Sequence, residues 1–188
     1  MSDTRFMSHL VIGPPLPGEY APYAIVYLNR VPETDILPAL EAQIEESAAV
    51  LAQVTEEDSL RSYAPGKWTL RESVCHMADM ERLFAYRALS IARGDKTALP
   101  GVEQDDWVPY SNANARSLTD LIAELVALRK ANLFLFRGLD ADAWMRTGIA
   151  SDNRVSVRGL AYIILGHERH HIEIVRKHYL GAAERARA

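Results

Sequence analysis

The stretch SVRGLAYIILGHERHHIEIVRKHYL, residues 156–180, decides what kind of fold this chain adopts. Advancing about 100° per residue, Val157, Leu160, Ile163, Ile164, Ile174 and Val175 fall on one arc. That period predicts an amphipathic helix from about Ser156 to Leu180, stopping at Gly181. His167 and His171 lie in the middle of the apolar arc, His178 near it two turns on, and His170 well to one side. Residues 167–171 read H-E-x-x-H, two histidines one turn apart with a glutamate after the first. Three readings stand open: a peptidase signature, another kind of metal site, or core histidines hydrogen-bonded to their neighbours at a partly wet end of the fold.

The same helical period recurs upstream. Leu37, Leu40, Ile44, Ala48 and Leu51 predict a first helix over about 36–54, broken by EEDSLRSYAPGKW with its Pro65 and Gly66. A second helix starts near Trp68–Thr69, where Thr69 followed by Glu72 fits a capping box, and runs to about Arg93 before Gly94. A third spans about Ser117 to Leu139. No strand pair, repeat or low-complexity tract is evident, so the expected fold is all-α, a four-helix bundle over residues 35–182. Residues 1–34, rich in Pro, Gly and Tyr, read as an irregular N-terminal arm packing on that bundle. The loop over 94–116, between the second and third helices, is long enough to expect a covering role, with Trp107 placed to lie over a substrate pocket.

Composition narrows the classes. A chain of 188 residues suits one domain with a full core. Its net charge of -4, without a basic stripe, argues against nucleic acid, and no apolar run approaches a membrane span. The single cysteine, Cys75, forms no intrachain disulfide, and the N-terminus does not read as a secretory signal, so a soluble cytoplasmic protein acting on a small-molecule substrate is expected.

A metal site needs a third ligand, and the second helix offers His76, at the edge of an arc holding Leu70, Met77, Met80, Phe84, Ala88 and Ile91. Three neutral imidazoles would leave a coordination position open to water or substrate. They suit zinc, nickel, iron or copper; a divalent ion is expected, zinc or nickel first, then iron or manganese. The peptidase reading fares worse. Its extended form wants Gly and His where this chain has Ile174 and Lys177, and only Glu173 and Glu184 remain downstream as a glutamate ligand.

Other polar residues fall close by. Glu168 is a candidate base or water-orienting group, or half of an interhelical salt bridge. Glu81 falls on the apolar side of its helix and needs a partner such as Arg87 or a histidine N–H. Arg129 and Asn132 interrupt a stripe of Leu118, Ile122, Leu125, Leu133 and Phe136; Arg129 either clamps a substrate carboxylate or pairs with Glu81. Cys75 is turned about 100° from His76, away from the histidine face.

The run GKWTLRESVCHMADMERLFAYRALSIARGD (66–95), followed by GHERHHIEIVRKHYL (166–180) and preceded by GEYAPYAIVYLNRVPETDIL (18–37), resembles the DinB/YfiT-like superfamily of metal-binding four-helix bundles. The resemblance implies that His76, His167 and His171 bind the divalent metal. It also implies a metal-dependent class that includes S-transferases using low-molecular-weight thiols, a mycothiol-dependent isomerase and members assigned as hydrolases. A thiol S-transferase or hydrolase is therefore expected, with a low-molecular-weight thiol as a candidate co-substrate. The alternative is a non-catalytic, metal-binding stress-response bundle, and a zinc peptidase is a minor one. Homodimers are expected from the same resemblance.

Overall fold

The computed structural model describes residues 10–180. In chain order its elements are α1 (Ile25–Leu28), α2 (Ile36–Leu51), α3 (Leu70–Ala92), α4 (Gln104–Trp107), α5 (Leu118–Arg137), α6 (Ala141–Met145), β1 (Thr147–Ala150), β2 (Asn153–Ser156) and α7 (Val157–Val175). A wider turn of π-helix, Arg176–Leu180, continues α7. The first residues of the arm, 1–9, lie outside the described residues, as do Gly181, residue 182 and Glu184.

Local chemistry sets the helix ends where the sequence placed them. The Thr69 hydroxyl accepts from the Glu72 N–H, and the Glu72 carboxylate accepts from the Thr69 N–H, closing the capping box of α3. Ser117 and Ser156 cap α5 and α7 with the hydroxyl alone, accepting from the N–H groups of Asp120 and Gly159. Past α3, Gly94 takes φ 82°, a left-handed conformation that favours glycine.

Four long helices form the bundle. Helix α3 packs on α5 and α7, and α2 packs on the same two, so α2 and α3 occupy opposite corners. The core divides in two along the bundle axis. One cluster gathers Ile36 and Leu40 of α2, Phe84, Ala88 and Ile91 of α3, Leu133 and Phe136 of α5, and Leu160, Ile163 and Ile164 of α7. The other gathers Ile44 and Leu51, Leu70, Val74 and Met77, Leu121 and Leu125, and Ile172 and Val175 from the same four helices. Between them each helix contributes buried polar groups: Gln43 from α2, His76 and Glu81 from α3, Arg129 from α5, His167 and Glu168 from α7. That polar layer is where the chemistry lies.

Two features depart from the sequence reading. Strands β1 and β2 form an antiparallel hairpin, pairing Thr147 with Ser156 and Ala150 with Asn153, where no strands were expected. Its two-residue turn is Ser151–Asp152, at φ 51° and 59°. Two left-handed residues suit a tight hairpin, but without Gly or Asn they give little signal in sequence. The 94–116 segment is also less irregular than expected. It carries α4 and short 3-10 turns, and Leu99 bonds to the hairpin through Leu99 N–H to Ile149 O at 2.9 Å and Ser151 N–H to Leu99 O at 3.0 Å.

The described part of the arm contains a helical turn, α1, laid against α7. It is anchored by Tyr162, whose hydroxyl reaches the carbonyls of Ile12 and Glu33 at 3.2 and 3.0 Å, and by Arg169, paired with Glu33 at 2.6 Å. Gly166 allows the approach, because a Cβ there would overlap the Tyr27 carbonyl and α-carbon. Gly166→Ala is therefore expected to destabilise the protein by about 1–3 kcal/mol. It should also lift Tyr27 away from the neighbouring His167 ring, 5.3 Å off centroid to centroid. Urea unfolding together with the His167 ring resonances in an NMR spectrum checks both effects.

Candidate metal centre

Helix α3 brings His76 to the middle of the bundle, and α7 brings His167 and His171 to the same point one turn apart. The Nε2 atoms of His76 and His167 lie 3.0 Å apart, and those of His171 and His167 3.2 Å apart. All three rings offer a nitrogen within 4.8 Å of the others. Nitrogens bound tetrahedrally to one ion at 2.0–2.1 Å lie about 3.3 Å from one another. The spacing of the trio thus matches the edge of a metal coordination polyhedron.

Electrostatics agree with that fit. Burial drives the imidazole of His76 down to about 4 and those of His167 and His171 well below their ordinary value, the last two helped by neighbouring histidines. At neutral pH the three are uncharged, the form a metal ligand requires. Beside them, the fully buried Arg129 donates to Glu81 through Nε and Nη2, both at 2.9 Å, and to Glu168 at 2.5 Å. Nη1 donates to the Leu40 carbonyl at 3.0 Å, and Asn132 adds a bond to Glu81 at 2.9 Å. Burial alone would depress the guanidinium, but the carboxylates of Glu168 and Glu81 hold it above its usual range. This buried cluster contains one more carboxylate than guanidinium, and Glu168 Oε1 has no hydrogen-bond partner. A divalent ion at the adjacent histidines would offset that excess.

The candidate residues thus fall into different places. His76, His167 and His171 converge. Glu168 and Arg129 are brought together with each other rather than with a cleft: each faces the interhelical ion cluster, and neither lines the two cavities that reach the histidines. The partner of Glu81 is Arg129 with Asn132, not Arg87 or a histidine. Six residues along α3, Arg87 points about 240° around the helix from Glu81. His178 stacks on Tyr63 at 4.4 Å and His170 sits edge-on to Tyr27 at 5.8 Å. Cys75 is buried among apolar side chains, which pushes its thiol up.

Two clefts that share Gln104 of α4 reach the trio. One, about 300 Å³, reaches His171 between Trp68, Lys67, Tyr63 and Tyr179. The other, about 210 Å³, reaches His167 between Tyr27, Phe84 and Arg87. Gln104 of α4 is in both walls, and Asp105 lines the first. Trp107, expected to cover a pocket, lines neither and is 44% exposed; its helix-mates three and two residues earlier take that place. Sequence reasoning did not single out Tyr27, Gln104 or Asp105.

Residues 39–175, well over half of the chain, match the DinB superfamily. The chain belongs to that superfamily. Among solved structures it is similar to YfiT from Bacillus subtilis, described as a probable metal-dependent hydrolase with an unusual four-helix bundle topology. The two superpose with a TM-score of 0.62 at 19% identity, covering 88% of this chain and 94% of that one. None of the curated proteins compared is similar in sequence. As a DinB-like bundle, the chain has a mundane explanation for its H-E-x-x-H string: the glutamate is a structural ion-pair partner that happens to follow a histidine. The β-hairpin does not supply a peptidase's substrate strand either: its second strand ends at Ser156, eleven residues and about 16 Å of helix before His167, and the hairpin residue in the His167 cleft is Ser151 of the turn.

Proposed function

We propose that this DinB-like protein is a metal-dependent enzyme acting on small molecules, with His76, His167 and His171 as the ligands of a divalent ion. The observation that carries the reading is the convergence of three neutral Nε2 atoms at a point reached by two clefts. A divalent ion held there supplies Lewis acidity, lowering the pKa of a thiol or water in its open position. The chain's own residues do the rest. Burial keeps the imidazoles neutral, Trp68 and Phe84 wall off solvent beside His76 and His167 at ring distances of 4.8 and 6.0 Å, and the clefts hold the reactants.

Thiol S-transfer is the first reading, because Glu168, the carboxylate that follows a ligand, pairs with Arg129 and lines neither cleft in which water would be held. Hydrolysis, the activity ascribed to YfiT, is the second; Asp105, exposed in the wall of the His171 cleft, is the carboxylate placed to serve it. The clefts also weigh against a purely structural, dimeric metal bundle, which needs no substrate-sized space beside its ion. Zinc and nickel remain the leading ions, and a homodimer in the cytoplasm the expected setting. No described helix is long and apolar enough to cross a membrane.

Metal analysis of the purified protein is expected to find roughly one divalent ion per chain, and close to none in His76→Ala or His167→Ala. Wild-type protein that neither retains nor rebinds an ion removes the proposal. On loaded protein, a panel of thiols with a generic electrophile is then compared with ester and amide substrates. Asp105→Asn should leave thiol transfer within about twofold but lower hydrolysis by about 100-fold. Turnover of neither kind favours the structural bundle.

A further inference from the structure

The cleft on the His167 side contains a cation that the site described so far does not use. Arg87 is only 4% exposed, yet among the described residues it has no carboxylate partner. Its Nη2 donates to the Pro100 carbonyl at 2.6 Å and to the Ser151 hydroxyl at 3.1 Å, while its Nε is buried without a hydrogen-bond partner among the described residues. A buried guanidinium normally sits against a carboxylate, as Arg129 does one helix away, because an unpaired buried charge is costly. Burial depresses the Arg87 guanidinium, as expected for a charge without a counter-ion.

Three segments hold it in that state. Pro100 belongs to the loop pinned to the hairpin at Leu99, and Ser151 is the first left-handed residue of the hairpin turn. Phe84, one turn back on α3, lies under the guanidinium at 5.9 Å and beside the His167 ring at 6.0 Å. The aromatic ring thus connects the cation to the histidine end of one cleft, whose wall includes both Arg87 and His167. Glu103, the carboxylate in the same wall, is exposed and makes no ion pair with Arg87.

We propose that this cleft binds the carboxylate of the small molecule acted on at the histidine trio, with Arg87 as its counter-ion. The assignment rests on the reading of the trio as a reaction centre. A planar guanidinium matches a carboxylate in shape and charge. A phosphate dianion would call for a second cation, and among the described residues Arg87 is the one cationic side chain in this wall. An apolar stretch against Phe84, Met80 and Val102 would then connect the carboxylate to the reacting end.

The test uses full-length protein, as purified and again after its metal is stripped by a chelator, with hexanoate, hexan-1-ol and inorganic phosphate as probes. Hexanoate is expected to bind at least about tenfold more tightly than hexanol. It should shift the Arg87 Nε–H resonance in wild-type protein, whether or not metal is present. Arg87→Gln should abolish the preference for the acid, and Arg87→Lys should keep part of it. If Arg87→Gln does not fold, the wild-type resonance alone decides. Equal binding of acid and alcohol, an unmoved Nε–H signal, or an undiminished preference in Arg87→Gln overturns the proposal, and tighter binding of phosphate overturns the choice of carboxylate. Protein without any metal would sink the reaction-centre reading while leaving the carboxylate measurement standing.

Discussion

Arg129→Met is expected to destabilise the protein by about 3–5 kcal/mol, a large part of the stability of a domain this size. The guanidinium is fully buried and is the counter-charge of both Glu81 and Glu168. Without it two carboxylates remain in the bundle interior, 4% and 3% exposed, with only Asn132 donating to one of them. Neutralising them as well should restore most of the loss: the triple variant Arg129→Met, Glu81→Gln, Glu168→Gln replaces charges by groups that need far less solvation. The same variant separates stability from function. Glu168 is adjacent to a proposed ligand, and the cluster supplies the negative excess beside the trio, so metal affinity should fall by about 10–100-fold even where the fold recovers. Urea unfolding and a metal titration on the single and triple variants check this. A single variant as stable as wild type, or a triple variant with unchanged affinity, refutes the role assigned to the cluster.

That cluster also shows what the sequence could and could not disclose. The apolar stripes of α3, α5 and α7 and the capping box at Thr69 were legible because they are local, governed by a 3.6-residue period and by backbone donors at helix starts. His76, His167 and His171 were legible because a histidine on an apolar face is conspicuous. The identity of a partner across the bundle is not local. Glu81 was seen to need one, and the choice between Arg87 and Arg129 depended on which helices adjoin and at what height. Helix α5 packs against α3 and presents Arg129 at the level of Glu81, whereas Arg87, on the same helix as Glu81, faces elsewhere. The hairpin escaped for a different reason: its strands have four residues each and its turn uses Ser and Asp in a conformation usually signalled by Gly or Asn. Because that turn holds Arg87 through Ser151, the feature hardest to read was also the one that shapes the second cleft.

The buried histidines should make metal-free protein sharply acid-sensitive. In the unfolded chain each imidazole takes a proton near pH 6.5. In the folded chain burial holds His76 at about 4 and His167 well below its ordinary value. Between those limits the unfolded state binds more protons than the folded one, so stability is full above about pH 6.5 and falls as the pH falls. The slope approaches about 1.4 kcal/mol per pH unit for each histidine. His76 alone would remove about 2 kcal/mol by pH 5, and His167 and His171, whose imidazoles burial also holds down, add to that in the same direction. Replacing one imidazole by a hydrocarbon removes its share, so His167→Leu should flatten the dependence by about a third to a half. A bound divalent ion competes with the protons for the same nitrogens, and saturating zinc or nickel should therefore shift acid unfolding to lower pH. Denaturant midpoints collected from pH 8 to pH 5, with and without metal, read all three effects. A wild-type profile that stays flat across that range, or one that His167→Leu and added metal leave unchanged, would mean that the trio is neither desolvated nor shared by one cation.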